Sequence, residues 1–319
     1  MSILNATFFH DEEAAYAKLE SILWPNGPEC PHCGVVNDAH KIAANPGKKV
    51  RHGLYRCNAC KAQFTVKVGT IFESSHIPLT KWLQAAYLIN ASKKGISAKQ
   101  IERILQVTYK SAWFMMHRLR AAMDPIYDAP GEPMGGEGKT IEMDETYIGQ
   151  KKEATKKRSF HHMHTILSLV ERGGQVRSFH LDKADQNIVL AVVRDHVRKE
   201  TRHYTDGAAW YRNNAMGLEG GHDWVDHSRE EYVRGDVHTN TIEGYFGIFK
   251  RGMKGVYQHC SEKHLHRYLA EFDFRYNNRE RLGVDDLGRT ANALKGAKGK
   301  RMTYRGPDAE DAAIRPQGA

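Results

Sequence analysis

The chain has 319 residues, of which 40% are hydrophobic, so it is long enough to form two or three compact units with their own cores. Its 47 Lys and Arg exceed its 38 Asp and Glu, and the formal net charge of +9 favours an anionic partner such as a nucleic acid. The sequence has no run of 18 apolar residues and no signal-peptide pattern at its start, so it predicts a cytoplasmic protein without a membrane segment.

Two Cys-x2-Cys pairs lie in the first quarter of the chain. They consist of Cys30, Cys33, Cys57 and Cys60. In a reducing compartment such pairs indicate a metal site and not disulfides. Each pair can present two thiolates from a tight turn, and four thiolates complete a closed tetrahedral site, so we predict structural Zn²⁺ in a zinc ribbon at about 15–75. His32 lies inside the first pair and is an alternative ligand, although four cysteines suffice.

Three helices are predicted between residues 76 and 125. The first covers 78–90, with Thr80 as its expected N-cap. A capping-box pattern at Ser97 starts the second helix, and the apolar stripe of the third extends from about 109 to 123.

The second and third of these helices, joined by a tight turn, resemble a helix-turn-helix. Residues 93–120 contain seven Lys or Arg and one acidic residue, which gives a local net charge of +6. We therefore predict that 76–125 is a helix-turn-helix-like DNA-binding module; the alternative is an ordinary three-helix module with a solvated basic face. The DNA contacts predicted in it are Lys110, Arg118 and Arg120.

Three polar segments have other compositions. Residues 126–138 are rich in Pro and Gly and are predicted to be a linker. A basic run at 151–158 is either a solvated loop or a phosphate contact, and we assign Lys151 and Lys152 to DNA binding. The segment 281–319 is basic with few large apolar residues and is predicted to be a largely mobile tail.

A series of short strands and helices is predicted between residues 139 and 280. The first strand, 140–148, alternates between apolar and polar residues and is predicted to be half-buried, with Asp144 on its polar face. Two strands and a helix follow, and another short strand ends at Asp206 before a glycine, where a carboxylate is well placed in a cleft. A final helix completes the order strand, strand, strand, helix, strand, helix, which is that of the ribonuclease-H-like fold.

The helix predicted at 240–254, with Thr239 as its expected cap, has an apolar stripe and a neighbouring polar stripe. Glu243 and Lys250 are seven residues apart in the polar stripe, so they differ by only about 20° around the helix axis and face the same cleft. Asn240, one turn before Glu243, faces the same way.

Asp144, Asp206 and Glu243 are the residue types that phosphodiester chemistry needs. Two Mg²⁺ ions about 3.5–4 Å apart can stabilise the charge on a pentacovalent phosphorus, and hard oxygen ligands suit Mg²⁺ or Mn²⁺. Lys250 can hold a nearby phosphate oxygen. For the third metal ligand we favour Glu243 over Asn240, because an ionised carboxylate binds magnesium better than an amide does.

Residues 143–149, 204–207 and 238–251 resemble the catalytic blocks of bacterial insertion-sequence DDE transposases that have an N-terminal zinc ribbon. Residues 261–277 resemble the helix that ends their catalytic domain, and the resemblance covers about 15–280. It implies a multidomain α+β protein consisting of a zinc ribbon, a helix-turn-helix-like helical module and an α/β ribonuclease-H-like catalytic domain at 139–280.

The resemblance also assigns roles. It implies that Asp144, Asp206 and Glu243 hold the catalytic magnesium or manganese, and that Lys250 matches the basic residue seven places after the acid. It further implies metal-dependent cleavage and strand transfer of double-stranded DNA, at both transposon ends and target. A homo-oligomer in the synaptic complex and a location at the bacterial nucleoid are expected with that activity.

Two other functions remain open from the sequence. One is a non-catalytic DNA-binding regulator derived from a transposase, although all three acids are present. The other is a nuclease with no joining step.

Several further polar residues are interpreted as structural. We expect that His161, His162 and His164 do not form a metal site, because alternate strand residues point to opposite faces. The remaining acidic residues of this region are interpreted as surface or capping carboxylates: Glu142, Glu145, Asp182, Asp185, Asp223, Asp226 and Asp236.

Overall fold

The computed structural model of the protein describes residues 2–43, 50–124, 132–152, 160–207, 211 and 216–302. These residues form two compact units. The first contains the described residues up to Ser92, those from Ile96 to Asp124 and those from Gly283 onward, whereas the second contains Lys93–Gly95 and the described residues from 132 to Leu282. Residues 125–131 of the predicted linker region, 153–159 of the basic run and 303–319 of the predicted tail lie outside the described residues.

The bounds of the regular elements are as follows. The α-helices are α1 (Glu12–Leu23), α2 (Leu79–Ala91), α3 (Ala98–Leu105), α4 (Tyr109–Met123), α5 (Gln186–His196), α6 (Asn240–Gly252), α7 (Leu265–Asn277) and α8 (Asp286–Lys295). The strands are β1 (Ala39–Lys41), β2 (Tyr55–Cys57), β3 (Gln63–Phe64), β4 (Thr140–Ile148), β5 (His164–Glu171), β6 (Val176–Leu181), β7 (Arg202–Asp206), β8 (His222–Val225), β9 (Val233–Arg234) and β10 (Val237–His238). None of the helices within the described ranges is long and apolar enough to cross a bilayer.

The first unit combines a small sheet with helices. Strands β1, β2 and β3 form an antiparallel sheet in that order, and the rings of Trp24, Tyr55 and Phe64 pack together beside it. Helix α3 begins as predicted, since the Ser97 side chain accepts a hydrogen bond from the Gln100 N–H at 3.1 Å. Helix α4 also has its predicted bounds.

The start of α2 differs from the sequence prediction. Thr80 is not its cap, because Pro78 occupies the N-cap position and offers no side-chain acceptor. The Glu12 carboxylate accepts hydrogen bonds from the N–H groups of Leu79 at 2.7 Å and Thr80 at 3.1 Å. A residue of α1 therefore satisfies free N–H groups of α2, a contact between remote parts of the chain that local sequence patterns do not reveal.

Two of the predicted DNA contacts in α4 are corrected by burial. Arg118 is 6% exposed and Arg120 2% exposed, so neither guanidinium can reach a DNA backbone. Arg118 donates hydrogen bonds to the carbonyl oxygens of Ile71 at 2.7 Å, Glu73 at 3.0 Å and Met302 at 2.8 Å. These bonds make it a structural residue of the first unit.

The described part of the predicted mobile tail is folded. Asp285 caps α8 by accepting a hydrogen bond from Gly288 N–H at 2.7 Å, and the helix packs against α2 and α4. Arg289 is buried and donates to the carbonyl oxygen of Asn90 at 2.8 Å. The expectation of mobility was wrong here because a few small and apolar positions, with one arginine that reaches a helix end, are enough to bury one face of α8.

The second unit is built on a five-stranded sheet with the order β6-β5-β4-β7-β8. Strands β4, β5 and β6 pair antiparallel, whereas β7 is parallel to β4 and β8 is parallel to β7. Helix α5 contributes to the core on one face, and α6 and α7 contribute to the core on the other. This is the ribonuclease-H-like topology that the order of elements predicted.

Strand β4 is central in this sheet and is covered on both faces, so the prediction of a half-buried strand was wrong. Ile141 and Met143 pack into the core with α5, and Ile148 packs into the core with α6 and α7. Even the polar residues Glu142 and Thr146 are buried. The alternation of apolar and polar residues in β4 therefore does not indicate that one face of the strand is exposed to solvent. The polar side chains of Glu142 and Thr146 lie inside the protein, where they need polar partners.

Candidate active site

The parallel pairing of β4 and β7 brings two of the predicted residues together. Glu142 lies opposite Tyr204 in this pairing. Continuing the register by two residues places Asp144 beside Asp206, the last residue of β7, and both side chains then point to the same face of the sheet. The pairing of β4 with β7 thus brings together two carboxylates that are far apart in the sequence.

The electrostatics of Asp144 show that the third predicted residue is also close. Burial raises the pKa of Asp144 well above its ordinary value, and the negative charges of Asp206, Glu145 and Glu243 raise it further. A hydrogen bond from the Glu145 N–H at 2.7 Å opposes this rise. Carboxylates from β4, β7 and α6 therefore converge, and each one disfavours the ionisation of Asp144.

Glu243 lies in the first turn of α6 and its side chain is 48% exposed. Thr239 occupies the N-cap position, but it does not cap the helix as predicted: its Oγ1 donates to Glu243 Oε1 at 3.0 Å. His227 Nε2 lies 3.6 Å from the same oxygen. These contacts orient the carboxylate and leave about half of the side chain open to solvent.

The other two residues predicted on α6 are also accessible. Asn240, the alternative third residue, is exposed at the first position of the helix, where its backbone N–H donates to His238 Nδ1 at 3.4 Å. Lys250 is partly exposed two turns after Glu243, on the same side of the helix as that carboxylate. The apolar stripe of α6 faces the core as predicted, because Ile242, Phe246 and Phe249 are buried.

Glu142 has a positioning role that the sequence did not reveal. It is fully buried and accepts hydrogen bonds from Ile242 N–H at 2.9 Å, Thr241 Oγ1 at 2.8 Å and Arg172 Nε at 2.7 Å. It is thus a capping carboxylate, as one of the two sequence interpretations proposed, and it caps α6 from β4. The sequence signal that could have identified Glu142 is its position two residues before Asp144, which places both side chains on the same strand face.

Arg172 extends this connection to the segment before α6. Its guanidinium donates to the carbonyl oxygens of Asp236 at 2.7 Å and His238 at 2.8 Å, and it lies over the Tyr204 ring at 4.7 Å from the centroid. The chain leading into α6 is therefore attached to the two strands that carry Asp144 and Asp206.

Glu145 is a second acid beside the site. Its carboxylate accepts a hydrogen bond from the Tyr211 hydroxyl. Burial raises the pKa of Glu145 to about 7, the charge of Asp206 adds to the rise, and the Tyr211 bond opposes it. Glu145 is therefore not the surface or capping residue that the sequence suggested.

The four predicted zinc ligands form a single cluster in the first unit. The Sγ atoms of Cys30 and Cys60 are 3.6 Å apart, as are those of Cys33 and Cys57, and all four lie within 4.8 Å of one another. The first pair lies in a turn before β1, whereas Cys57 ends β2 and Cys60 lies between β2 and β3. A closed set of four thiolates at this spacing is a structural zinc site, and His32 is not part of the cluster.

The lysines predicted to contact DNA differ in accessibility. Lys110, at the start of α4, and Lys152 are exposed. Lys151 is partly exposed and its Nζ donates to the carbonyl oxygen of Asp182. Lys110 and Lys152 are thus accessible to solvent, and Lys151 partly so.

Comparisons with known proteins agree with this division. Residues 10–63 match the transposase zinc-ribbon domain family, and residues 135–277 match the ISXO2-like transposase domain family. An uncharacterized protein in transposable element ISH50 of Halobacterium salinarum is similar to this chain, with 27% identity over 293 residues that cover 84% of this chain and 91% of the relative.

Proposed function

Because the chain carries a transposase zinc-ribbon domain and an ISXO2-like transposase domain, we propose that it is a DDE transposase that cuts insertion-sequence ends and joins them to target DNA. The observation that carries the proposal is the convergence of the Asp206 and Glu243 carboxylates on Asp144, whose pKa their charges raise. Their mutual repulsion is relieved when a divalent cation is present, as catalytic carboxylate sites require.

The donor set fits magnesium or manganese. It consists of carboxylate oxygens of the half-buried Asp144 and Asp206 and of the about half-exposed Glu243, so that water and substrate oxygens can complete a coordination shell. When bound, such ions stabilise the negative charge that develops on the phosphate oxygens during cleavage and joining. We favour Glu243 over Asn240 as the third ligand, because it is the charged group and it acts on Asp144.

The surrounding residues position the substrate and the acids. Lys250, on the Glu243 side of α6, is placed to hold a phosphate oxygen as a point charge. Glu142 and Arg172 keep α6 against β4, which fixes the position of Glu243 relative to the aspartates. No proton transfer is required of these two residues.

We assign DNA holding to the zinc ribbon at about 15–75 and the helical module at 76–125. With Arg118 and Arg120 buried, the accessible basic group at the start of α4 is Lys110, next to the half-exposed ring of Tyr109. Lys151 and Lys152 are proposed as further phosphate contacts near the end of the Asp144 strand. Joining two DNA ends requires that more than one protomer assemble, so a homo-oligomer is part of the proposal.

The test uses the purified full-length chain, Mg²⁺ and a DNA duplex that carries the ends flanking its gene. We expect nicking and strand transfer, and a loss of at least about 100-fold in both for Asp144→Asn, Asp206→Asn and Glu243→Gln, since each removes a metal ligand. DNA binding in a gel-shift assay should remain. Asn240→Ala should keep most of the activity.

The exposed acid Glu219 provides a matched control, because Glu219→Gln removes one charge from the same unit without touching the site. Full activity of Asp144→Asn would overturn the proposed mechanism. Cleavage by the wild type without any joined product would identify a nuclease, and binding without cleavage would identify a regulator.

A further inference from the structure

A second cluster of potential metal ligands lies in the second unit, formed by residues other than the acids of the candidate active site. His164 is the first residue of β5, His180 lies near the end of β6, and Glu262 lies in a short 3-10 turn, Glu262–His264, directly before α7. One ligand atom from each residue lies within 4.8 Å of the other two. His164 Nδ1 and Glu262 Oε1 are 3.8 Å apart.

The pairing of β5 with β6 explains why the two histidines meet. Ile166 lies opposite His180, and His164 is two residues before Ile166, so His164 and His180 are diagonal neighbours on one face of the sheet. Their ring centroids are 5.2 Å apart. The sequence expectation considered only His161, His162 and His164 on one strand, but His161 and His162 lie in a 3-10 turn, Phe160–His162, before β5 begins. The partner of His164 comes from the next strand.

One ring nitrogen of each histidine is buried without a hydrogen-bond partner. His164 is 5% exposed, and both its Nδ1 and the Nε2 of His180 are buried without such a bond. His164 also makes a hydrogen bond to the backbone of Gln150 that favours the protonated ring, as a carbonyl acceptor does. A backbone carbonyl bonded to the ring is the usual support of a metal-binding histidine.

The ligand types select the metal. Two imidazoles and one carboxylate suit zinc, which would keep a fourth position for water, whereas magnesium prefers oxygen ligands alone. A tetrahedral zinc ion with bonds of about 2.0–2.1 Å separates its ligand atoms by about 3.3 Å, so the observed spacing needs only a small closure. Burial lowers the pKa of His164 and His180, which keeps both rings in the neutral form that binds metal.

Two charged groups lie near the cluster. The charge of Lys151 acts on both histidines and opposes a cation, but its ammonium group is held by the carbonyl oxygen of Asp182. The Asp182 carboxylate acts on His180 with the opposite sign, and Glu262 acts on both rings. The negative charges of Asp182 and Glu262 together outweigh the one positive charge of Lys151, so the local charge is compatible with a divalent cation.

We propose that His164, His180 and Glu262 bind a zinc ion that joins the start of α7 to the ends of strands β5 and β6. This site is separate from the four-cysteine cluster, and its role is to fix α7 on the sheet. The proposal does not depend on DNA cleavage, so it stands or falls apart from the proposed function.

The test measures zinc bound to the full-length chain by mass spectrometry after gel filtration. We expect the wild type to hold one more equivalent of zinc than His180→Asn or Glu262→Gln, with an affinity loss of more than about 10-fold in each variant. Glu262 is exposed, so its variant should fold. His259→Gln is the matched control, because His259 is exposed in the same unit outside the cluster.

Cobalt substitution separates the two sites. Cys33→Ser should remove the thiolate-to-cobalt charge-transfer bands and keep a cobalt ion with nitrogen and oxygen ligands, whereas Glu262→Gln should do the reverse. Loss of all metal with Cys33→Ser, or unchanged zinc content in both His180→Asn and Glu262→Gln, would overturn the proposal. A metal loss in His259→Gln equal to that in His180→Asn would do the same.

Discussion

The two carboxylates of β4, the buried Glu142 and the half-buried Asp144, are two residues apart on the same strand face but have opposite surroundings. Glu142 has a guanidinium and two further hydrogen-bond donors. Asp144 accepts a hydrogen bond from a backbone N–H, and the negative charges of Asp206, Glu145 and Glu243 act on it. A buried charge is stable when it is paired, so Glu142 is satisfied within the protein, whereas the acidic neighbours of Asp144 favour its neutral form.

The pairing of Glu142 leads to a prediction for Glu142→Gln. The amide keeps the size of the side chain but removes the charge that faces Arg172, and it cannot accept all of the same hydrogen bonds. We expect a loss of about 2 kcal/mol in the free energy of unfolding of the second unit, measured by urea denaturation. Strand transfer should also fall in this variant. Arg172→Lys should lower both stability and strand transfer, since a lysine cannot reproduce the several bonds of the guanidinium.

Glu219→Gln again serves as the control, with an expected change within about 0.5 kcal/mol for an exposed site. Equal stability of Glu142→Gln and Glu219→Gln would show that the buried carboxylate is not needed to hold α6.

Sequence reasoning at this scale was accurate for residues with local signals. Spacing alone identified the four cysteines, and helix period placed Glu243 and Lys250 on one side of α6. It failed for Arg118 because the acceptors of that guanidinium are carbonyl groups remote in sequence. A basic residue on a helix has the same local pattern whether it faces solvent or such carbonyls.

At the scale of elements, helix starts show how a cap can come from elsewhere in the chain. Helices α3 and α4 have local caps, Ser97 and Thr108, and their bounds were predictable. Helices α2 and α6 are capped by carboxylates of α1 and β4, and their predicted caps, Thr80 and Thr239, were wrong for that reason.

The α2 cap provides a test within one helix. Glu12→Gln weakens the acceptor of two N–H groups, and Glu13→Gln removes an equal charge from the same first turn of α1 but leaves α2 untouched. We expect Glu12→Gln, but not Glu13→Gln, to lower the free energy of locally opening the first turn of α2 by about 1 kcal/mol. It should appear as roughly five- to tenfold faster amide hydrogen exchange at Leu79 and Thr80 than in Glu13→Gln. Equal exchange in the two variants would contradict the cap.

At the scale of the whole molecule, the two units differ in what stabilises their sheets. The second unit has a five-stranded sheet with apolar cores on both faces. The small sheet of the first unit has strands of two or three residues and a buried cluster of Cys30, Cys57 and Phe64. So few buried side chains cannot stabilise three short strands in water without a metal.

Removal of zinc from the cysteine cluster should therefore act on one unit. We expect Cys33→Ser or Cys60→Ser to abolish amide protection in β1, β2 and β3 and to leave the protection of β4 to β7 unchanged, as measured by hydrogen exchange of the full chain. His32→Gln, a change inside the first Cys pair, should retain protection everywhere. If His32→Gln and Cys33→Ser behave alike, the metal has a histidine ligand instead.

The discontinuity of the first unit has a consequence for synthesis of the chain. Ribosomes deliver α1 to α4 first, then all of the second unit except Lys93–Gly95, and only then α8 and Met302, which complete the contacts of α2 and Arg118. During that interval the nascent chain exposes the apolar faces of α2 and α4, while the second unit already has all of its strands. The part of the protein that is made first is therefore the last to finish folding. A chain that stops after Leu282 retains all strands of the ribonuclease-H-like sheet but has an unfinished helical core.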